Sequence, residues 1–169
     1  ACKEKEGLYE TYHNNGMAKD SGRYENNKRE GHFAGWYEEG MQHYRKQYRN
    51  GLPVDTGYVF RDNGTLATLT ITDQNGNGIQ QEYYENQKVK LIGRLKEGER
   101  NEKWILKRED GTKMMELNYM MDSLAQTNCF EADGNTLAKG DCIYEKPAEF
   151  PGGNEGWGKF IAKYLVYPT

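Results

Sequence analysis

Tyr12-His13-Asn14-Asn15-Gly16 sets an aromatic residue, a polar turn and a glycine in one short run. The arrangement returns at Tyr37-Glu38-Glu39-Gly40 and Phe60-Arg61-Asp62-Asn63-Gly64, and in worn form at Tyr84-Glu85-Asn86-Gln87. Two more copies follow at Leu106-Lys107-Arg108-Glu109-Asp110-Gly111 and Phe130-Glu131-Ala132-Asp133-Gly134. The turn positions 16, 40, 64, 87, 111 and 134 are separated by 24, 24, 23, 24 and 23 residues. A period held this tightly over most of a chain marks a repeat protein, in which each unit is one supersecondary piece.

Each period divides into two short strands and two turns. Leu8 to Tyr12 leads into the first glycine turn, and Met17 to Tyr24 returns. The chain then turns again through Glu25-Asn26-Asn27-Lys28-Arg29-Glu30-Gly31. Connections this short join antiparallel neighbours, because parallel pairing needs a long crossover. The expectation is an all-β, elongated antiparallel meander of about ten to twelve strands, built of repeated hairpins. Pro53 is assigned to a loop, since proline gives nothing to a central ladder. Thr65 to Thr72 is the most β-branched run. Met120-Met121-Asp122-Ser123-Leu124-Ala125 has no turn chemistry and reads as a short helical or irregular insertion.

Composition agrees with thin, half-buried sheet. The 169 residues are 36% hydrophobic with a mean hydropathy of -1.04, and include 13 tyrosines and 20 glycines. Tyrosine covers a sheet face while keeping its hydroxyl wet, and glycine supplies turns. The net charge of -3 comes from 23 basic and 26 acidic residues intermixed, which argues against nucleic acid as a partner. No stretch has the apolar length of a membrane-spanning helix.

Three regions follow. Residues 1–6 read as a flexible N-terminal segment, 7–146 as the repeat domain, and 147–169 as a Pro/Gly linker followed by a helix. That helix is expected from Trp157, Phe160, Ile161, Tyr164 and Leu165, which fall on one amphipathic stripe. Asn154 is placed to cap it.

The recurring Tyr/Phe-x-x-Asn-Gly unit, a strand and a second glycine turn resemble the MORN repeat, in its bacterial YwqK-like variant. The resemblance covers roughly residues 7 to 144 and implies a non-catalytic binding or scaffolding sheet. Glu149-Phe150-Pro151-Gly152-Gly153, the helix and Tyr167-Pro168 resemble the opening of a Bacteroidetes TonB C-terminal domain. The strands and second helix that complete such a domain are not in this sequence, which reads either as a fragment of a longer protein or as a remnant tail packed on the repeat sheet. At the other end, Ala1-Cys2 before a charged run resembles the cleavage site of bacterial lipoproteins, which makes Cys2 a lipid-anchor candidate. The alternative is an ordinary thiol.

For chemistry, the chain offers little. Asp73-Gln74-Asn75-Gly76-Asn77-Gly78 resembles half of an EF-hand loop, but position twelve is Tyr84 and the period demands a turn there. His13, His32 and His43 lack converging partners of metal type. No Gly-x-Ser-x-Gly, Walker loop or His-Glu-x-x-His occurs. No enzyme, metal or cofactor is expected. Cys129 and Cys142 straddle the last hairpin and are candidates for a disulfide, with two buried thiols as the alternative.

Tyr12, Trp36, Tyr37, Phe60, Tyr83 and Tyr84 form an aromatic row at the strand ends. They read either as the repeat's own core or as a binding face for a partner. The expected function is a cell-envelope protein of a Gram-negative bacterium, periplasmic or outer-membrane and lipid-anchored through Cys2. Its repeat sheet would contact another protein, in a role related to the TonB system. A cytosolic antitoxin-like binder, or a membrane-surface or glycan-binding module, is the alternative; balanced charge weighs against anionic lipid.

Overall fold

The structure, a computed structural model, describes residues 4–138. Eleven strands form one open antiparallel sheet whose spatial order is the chain order. They are β1 (Gly7–Tyr12), β2 (Ala18–Glu25), β3 (Lys28–Trp36), β4 (Gln42–Arg49), β5 (Leu52–Phe60) and β6 (Leu66–Thr72). Then follow β7 (Gly78–Tyr83), β8 (Val89–Lys96), β9 (Glu99–Lys107), β10 (Lys113–Met120) and β11 (Ser123–Cys129). The all-β meander of repeated hairpins is therefore as expected. The end of the expected last hairpin and the helix expected near 154–165 lie outside the described residues.

The glycine turns all take one form. In the turn from β3 to β4, Tyr37 N donates to Met41 O at 2.8 Å and Gly40 N to Tyr37 O at 2.9 Å. That is a type I turn closed by one left-handed residue. The left-handed residue is Gly16, Gly40, Gly64, Gln87, Gly111 or Gly134, at φ 84, 85, 79, 63, 92 and 90°. Gln87 thus adopts the glycine conformation in the worn copy. An Asn or Asp inside the turn steadies it from the side chain. Asn63 Oδ1 accepts Thr65 N at 3.0 Å and Asp110 Oδ1 accepts Thr112 N at 2.8 Å.

At the opposite strand ends, two-residue turns with both φ angles positive occur at Asn26-Asn27, Asn50-Gly51, Glu97-Gly98 and Met121-Asp122. These are type I′ turns, whose twist matches the strands they join. Met121-Asp122 corrects the sequence expectation of an insertion. The chain turns there because β10 and β11 pair from Met120↔Ser123 onward, and pairing overrides weak turn chemistry. Pro53 is corrected too, since it lies within β5 opposite Tyr48. Arg49↔Leu52 is the hydrogen-bonded pair beside the turn, so the Pro53 nitrogen points away from β4. On that side β6 pairs no further than Asp55, and no ladder bond is lost.

Successive turns on this edge are tied together. Asn27 N donates to Lys5 O at 3.1 Å, Gly51 N to Arg29 O at 2.9 Å, Gly98 N to Gly76 O at 2.9 Å and Asp122 N to Arg100 O at 2.8 Å. Each bond carries one repeat onto the next.

Register pairs run a single row across the sheet: Tyr9, Gly22, Phe33, Lys46, Gly57, Thr70, Gln80, Gly93, Trp104, Leu117 and Thr127. Gly22 faces Phe33 across an irregularity in the β2–β3 register, and Gly57 faces Lys46 across one between β4 and β5. The row shows how a single layer makes a core. A Cβ on Gly22 would sit 2.3 Å from the Phe33 ring, and one on Gly93 would sit 2.1 Å from the Trp104 ring. Each ring lies flat on a neighbouring strand that has no side chain there. Trp104 is 0% exposed, and its indole N–H donates to the Arg94 carbonyl at 3.0 Å. Tyr9, Tyr24, Phe33 and Tyr48 meet edge to face, with centroids 5.7, 5.5 and 5.3 Å apart. Leu91, Met115, Leu117 and Cys129 continue the buried face towards β11.

Candidate functional site

The strand-end aromatic row separates into two sets of positions with different work. The residue that opens each of five of these turns reaches one repeat onward and donates to a carbonyl at or just past the end of a strand there. His13 Nε2 donates to Trp36 O at 2.9 Å, Tyr37 OH to Phe60 O at 2.8 Å and Tyr84 OH to Lys107 O at 2.6 Å. Arg61 does the same to Tyr83 O, and Arg108 to Phe130 O. Imidazole, phenol and guanidinium are interchangeable here, because the position needs only a donor of sufficient reach.

Tyr37 and Tyr84 are therefore clamps between repeats, while Trp36, Phe60 and Tyr83 supply clamped carbonyls. Tyr37 also packs on His43, with centroids 4.5 Å apart, and Phe60 stacks on Tyr58 at 6.0 Å. Tyr83 OH donates to Gln81 Oε1 at 2.6 Å. Tyr12 is 58% exposed, and its hydroxyl donates to Glu10, whose carboxylate holds the phenol pKa above its usual value. None of the six is among the buried core residues, which are mid-strand rings such as Phe33, Tyr48 and Trp104. The strand-end rings are thus not the core of the repeat.

A surface the row did not anticipate lies at the centre of the sheet. In β6, Thr68, Thr70 and Thr72 share the face of Trp104, which leaves Leu69 and Ile71 on the other side. Thr72 is buried at 8% exposure while Ile71 is 44% exposed. Its cross-strand partner Ile79 is 40% exposed. Tyr58, Leu69, Gln81, Ile92 and Ile105 are register partners along the adjoining row of that outward face. Arg45 lies 4.4 Å over the Tyr58 ring at one border, and exposed Arg94 pairs with Ile79 at another. The apolar side of the sheet thus reverses in β6 and β7, while Leu91 and Leu95 of the adjacent β8 stay buried on the inward face.

On the inward face the reversal leaves a polar cavity of about 230 Å³. It opens where Gly57 occupies the position held by Phe33 one repeat earlier. Lys46, Tyr48, Val54, Thr70, Gln80 and Leu95 are among the residues around it. Thr72 Oγ1 donates to Pro53 O at 2.9 Å and closes one wall. Burial and the nearby Arg29 charge both push the Lys46 ammonium below its usual pKa. Gln47, which also borders the cavity, has an enclosed Oε1 with no hydrogen-bond partner.

The remaining candidates resolve locally. Asp73 Oδ1 accepts Asn75 N at 2.8 Å and Asn77 N at 2.9 Å, so the half EF-hand sequence is a self-bonded turn between β6 and β7. Those backbone bonds lower the Asp73 pKa. Among the described residues, no group of three or more His, Cys, Asp or Glu side chains converges as a metal site. Cys129 is buried on β11 opposite Met115. Cys2 and Cys142 lie outside the described residues, so the lipid anchor and the disulfide remain proposals. No protein-family model matches the chain, and a search of curated proteins finds no match either.

Proposed function

We propose that this chain is a non-catalytic protein-binding module of the bacterial cell envelope. The contact surface is the outward strip centred on Ile71 and Ile79. The observation that carries this reading is the reversal in β6, which buries Thr72 and exposes Ile71. Outward isoleucines on adjacent strands, with arginine at the borders, have the apolar centre and polar rim of a protein contact. An anionic membrane is the weaker occupant, because it favours clustered basic residues and the net charge is -3. Placement in the envelope rests on Ala1-Cys2, and the Cys129–Cys142 disulfide would suit that compartment.

The test is a photo-crosslinking residue placed singly at position 71, 79 or 70 in the full chain, expressed in its native host. A discrete adduct with a second protein from positions 71 and 79, and none from 70, is the expected result. An adduct with the same yield from position 70, or no adduct from any site, would overturn the assignment.

A further inference from the structure

We propose that the inward cavity beside Gly57 binds a small hydroxylated carboxylate, such as a hydroxy acid or sugar acid. The Lys46 ammonium would hold the carboxylate, with Thr70 and Gln80 taking the hydroxyls.

The cavity exists because one repeat departs from the others. Where Phe33 and Trp104 lay rings over Gly22 and Gly93, the stem of Lys46 covers Gly57, with its Cγ 3.4 Å from where a Cβ would stand. A purely structural filler at this point would be apolar. The residue present instead brings a cation into a half-buried space and forms no ion pair there. Among the described residues Lys46 forms no salt bridge and no hydrogen bond, unlike Arg100, Glu82 and Asp20 on this face. Arg100 pairs with Glu82 at 3.1 Å, and Asp20 accepts Tyr44 OH at 2.8 Å. Arg29 is committed to the rings of Phe33 and Tyr48, 5.4 and 5.1 Å from its guanidinium carbon, and adds positive potential. Asp55 also borders the cavity, with Thr56 N donating to its Oδ1 at 2.9 Å, and no salt bridge joins it to Lys46.

The ligand's other requirements follow from the walls. Gln80 Nε2 donates to Glu82 at 3.3 Å, which leaves Gln80 Oε1 to accept from a hydroxyl. The Thr70 hydroxyl makes no bond among the described residues and can donate or accept. Val54 and Leu95 suit a short carbon skeleton. A volume of about 230 Å³ is below the range of drug-sized pockets, so the ligand is small. This site lies on the face opposite the Ile71–Ile79 strip, and the two proposals stand or fall separately.

The experiment is a two-dimensional amide NMR titration of the full chain with sodium gluconate, using sodium chloride at equal ionic strength as the control. Saturable shifts confined to Gly57, Thr70 and Gln80 are expected with gluconate alone. Lys46→Met keeps the stem over Gly57 and removes the charge. It is expected to weaken binding about tenfold to a hundredfold, the value of a charged hydrogen bond. Thr70→Val is a second variant, with an expected smaller loss. Non-saturating shifts, shifts matched by chloride, or undiminished binding in a folded Lys46→Met protein would overturn the site.

Discussion

The hydroxyl of Tyr37 donates to the carbonyl of Phe60 at 2.8 Å, tying a turn to the strand end one repeat further along. The same bond recurs from His13, Arg61, Tyr84 and Arg108 along one edge of the sheet. Backbone bonds between turns do the matching work along the other edge. Among the described residues the sheet is a single layer. These ties couple neighbours that otherwise share only strand pairing and side-chain packing across the sheet. Replacing Tyr37 by Phe keeps the ring on His43 and removes only the hydroxyl bond. We expect a loss of about 0.5–1.5 kcal/mol in urea unfolding. Tyr84→Phe should behave alike, and the two losses should add because the sites share no partner.

Glycines in the transverse row should differ sharply when given a methyl group. In Gly93→Ala the new Cβ meets the fully buried Trp104 ring at 2.1 Å, and overpacking of this kind costs about 1–3 kcal/mol or more. In Gly57→Ala the nearest atom is Lys46 Cγ at 3.4 Å, an ordinary contact. That variant should be neutral or gain up to about 1 kcal/mol, because alanine restricts the unfolded chain. Thermal unfolding of the two proteins side by side reads the difference.

Met121 is an exposed residue at φ 47° in a turn that favours Asn or Gly at that position. Left-handed backbone costs an ordinary side chain about 1–2 kcal/mol, and asparagine relieves part of it. Met121→Asn is therefore expected to stabilise the protein by about 0.5–1 kcal/mol, measured by urea unfolding. Asp122 should be left in place, since its Oδ1 accepts Arg100 N at 2.6 Å.

Acid sensitivity should follow the turn carboxylates. The Thr112 hydroxyl and backbone N–H bond to Asp110 and lower its pKa from the ordinary 3.8. Backbone N–H groups do the same for Asp73, and Lys113 and Lys103 for Glu116. A carboxyl group depressed on folding contributes stability above its unfolded pKa. That contribution is lost as pH falls through the lower, folded pKa. Stability owed to these groups should thus be level from neutral pH down to the ordinary carboxylate range and decline below it. Asp110→Asn keeps an acceptor for the turn, as Asn63 and Asn86 do in sister turns. It should leave neutral-pH stability nearly unchanged and flatten the decline in acid, checked by urea midpoints across the acid range.

The period in the sequence located every glycine turn, including Gln87, because a left-handed residue after a type I turn leaves a strong local signature. Met121-Asp122 was illegible for the opposite reason: its conformation is imposed by β10–β11 pairing, and neither residue advertises it. Pro53 was misplaced because the side of the strand its nitrogen faces depends on register. The strand-end rings leave both readings open in the sequence for a geometric reason. Tyr12 and His13, Trp36 and Tyr37, or Tyr83 and Tyr84 are adjacent in sequence, yet one ends a strand and the next opens a turn. The pairing of Gly22 with Phe33 and of Gly93 with Trp104 crosses strands. It can be found only once register is known. The outward isoleucines were hidden by their own alternation, since Thr68 to Thr72 does not say which side faces the core.

That last point is tested most directly by chemical access to β6. Ile71→Cys and Thr72→Cys, each compared with the parent chain, should be labelled with a maleimide under native conditions. The expected result is rapid labelling at position 71 and protection at 72 until the protein unfolds, since a slip of one residue would exchange the two faces. Protection at 71 with rapid labelling at 72 would contradict the reversed face and remove the proposed contact surface with it.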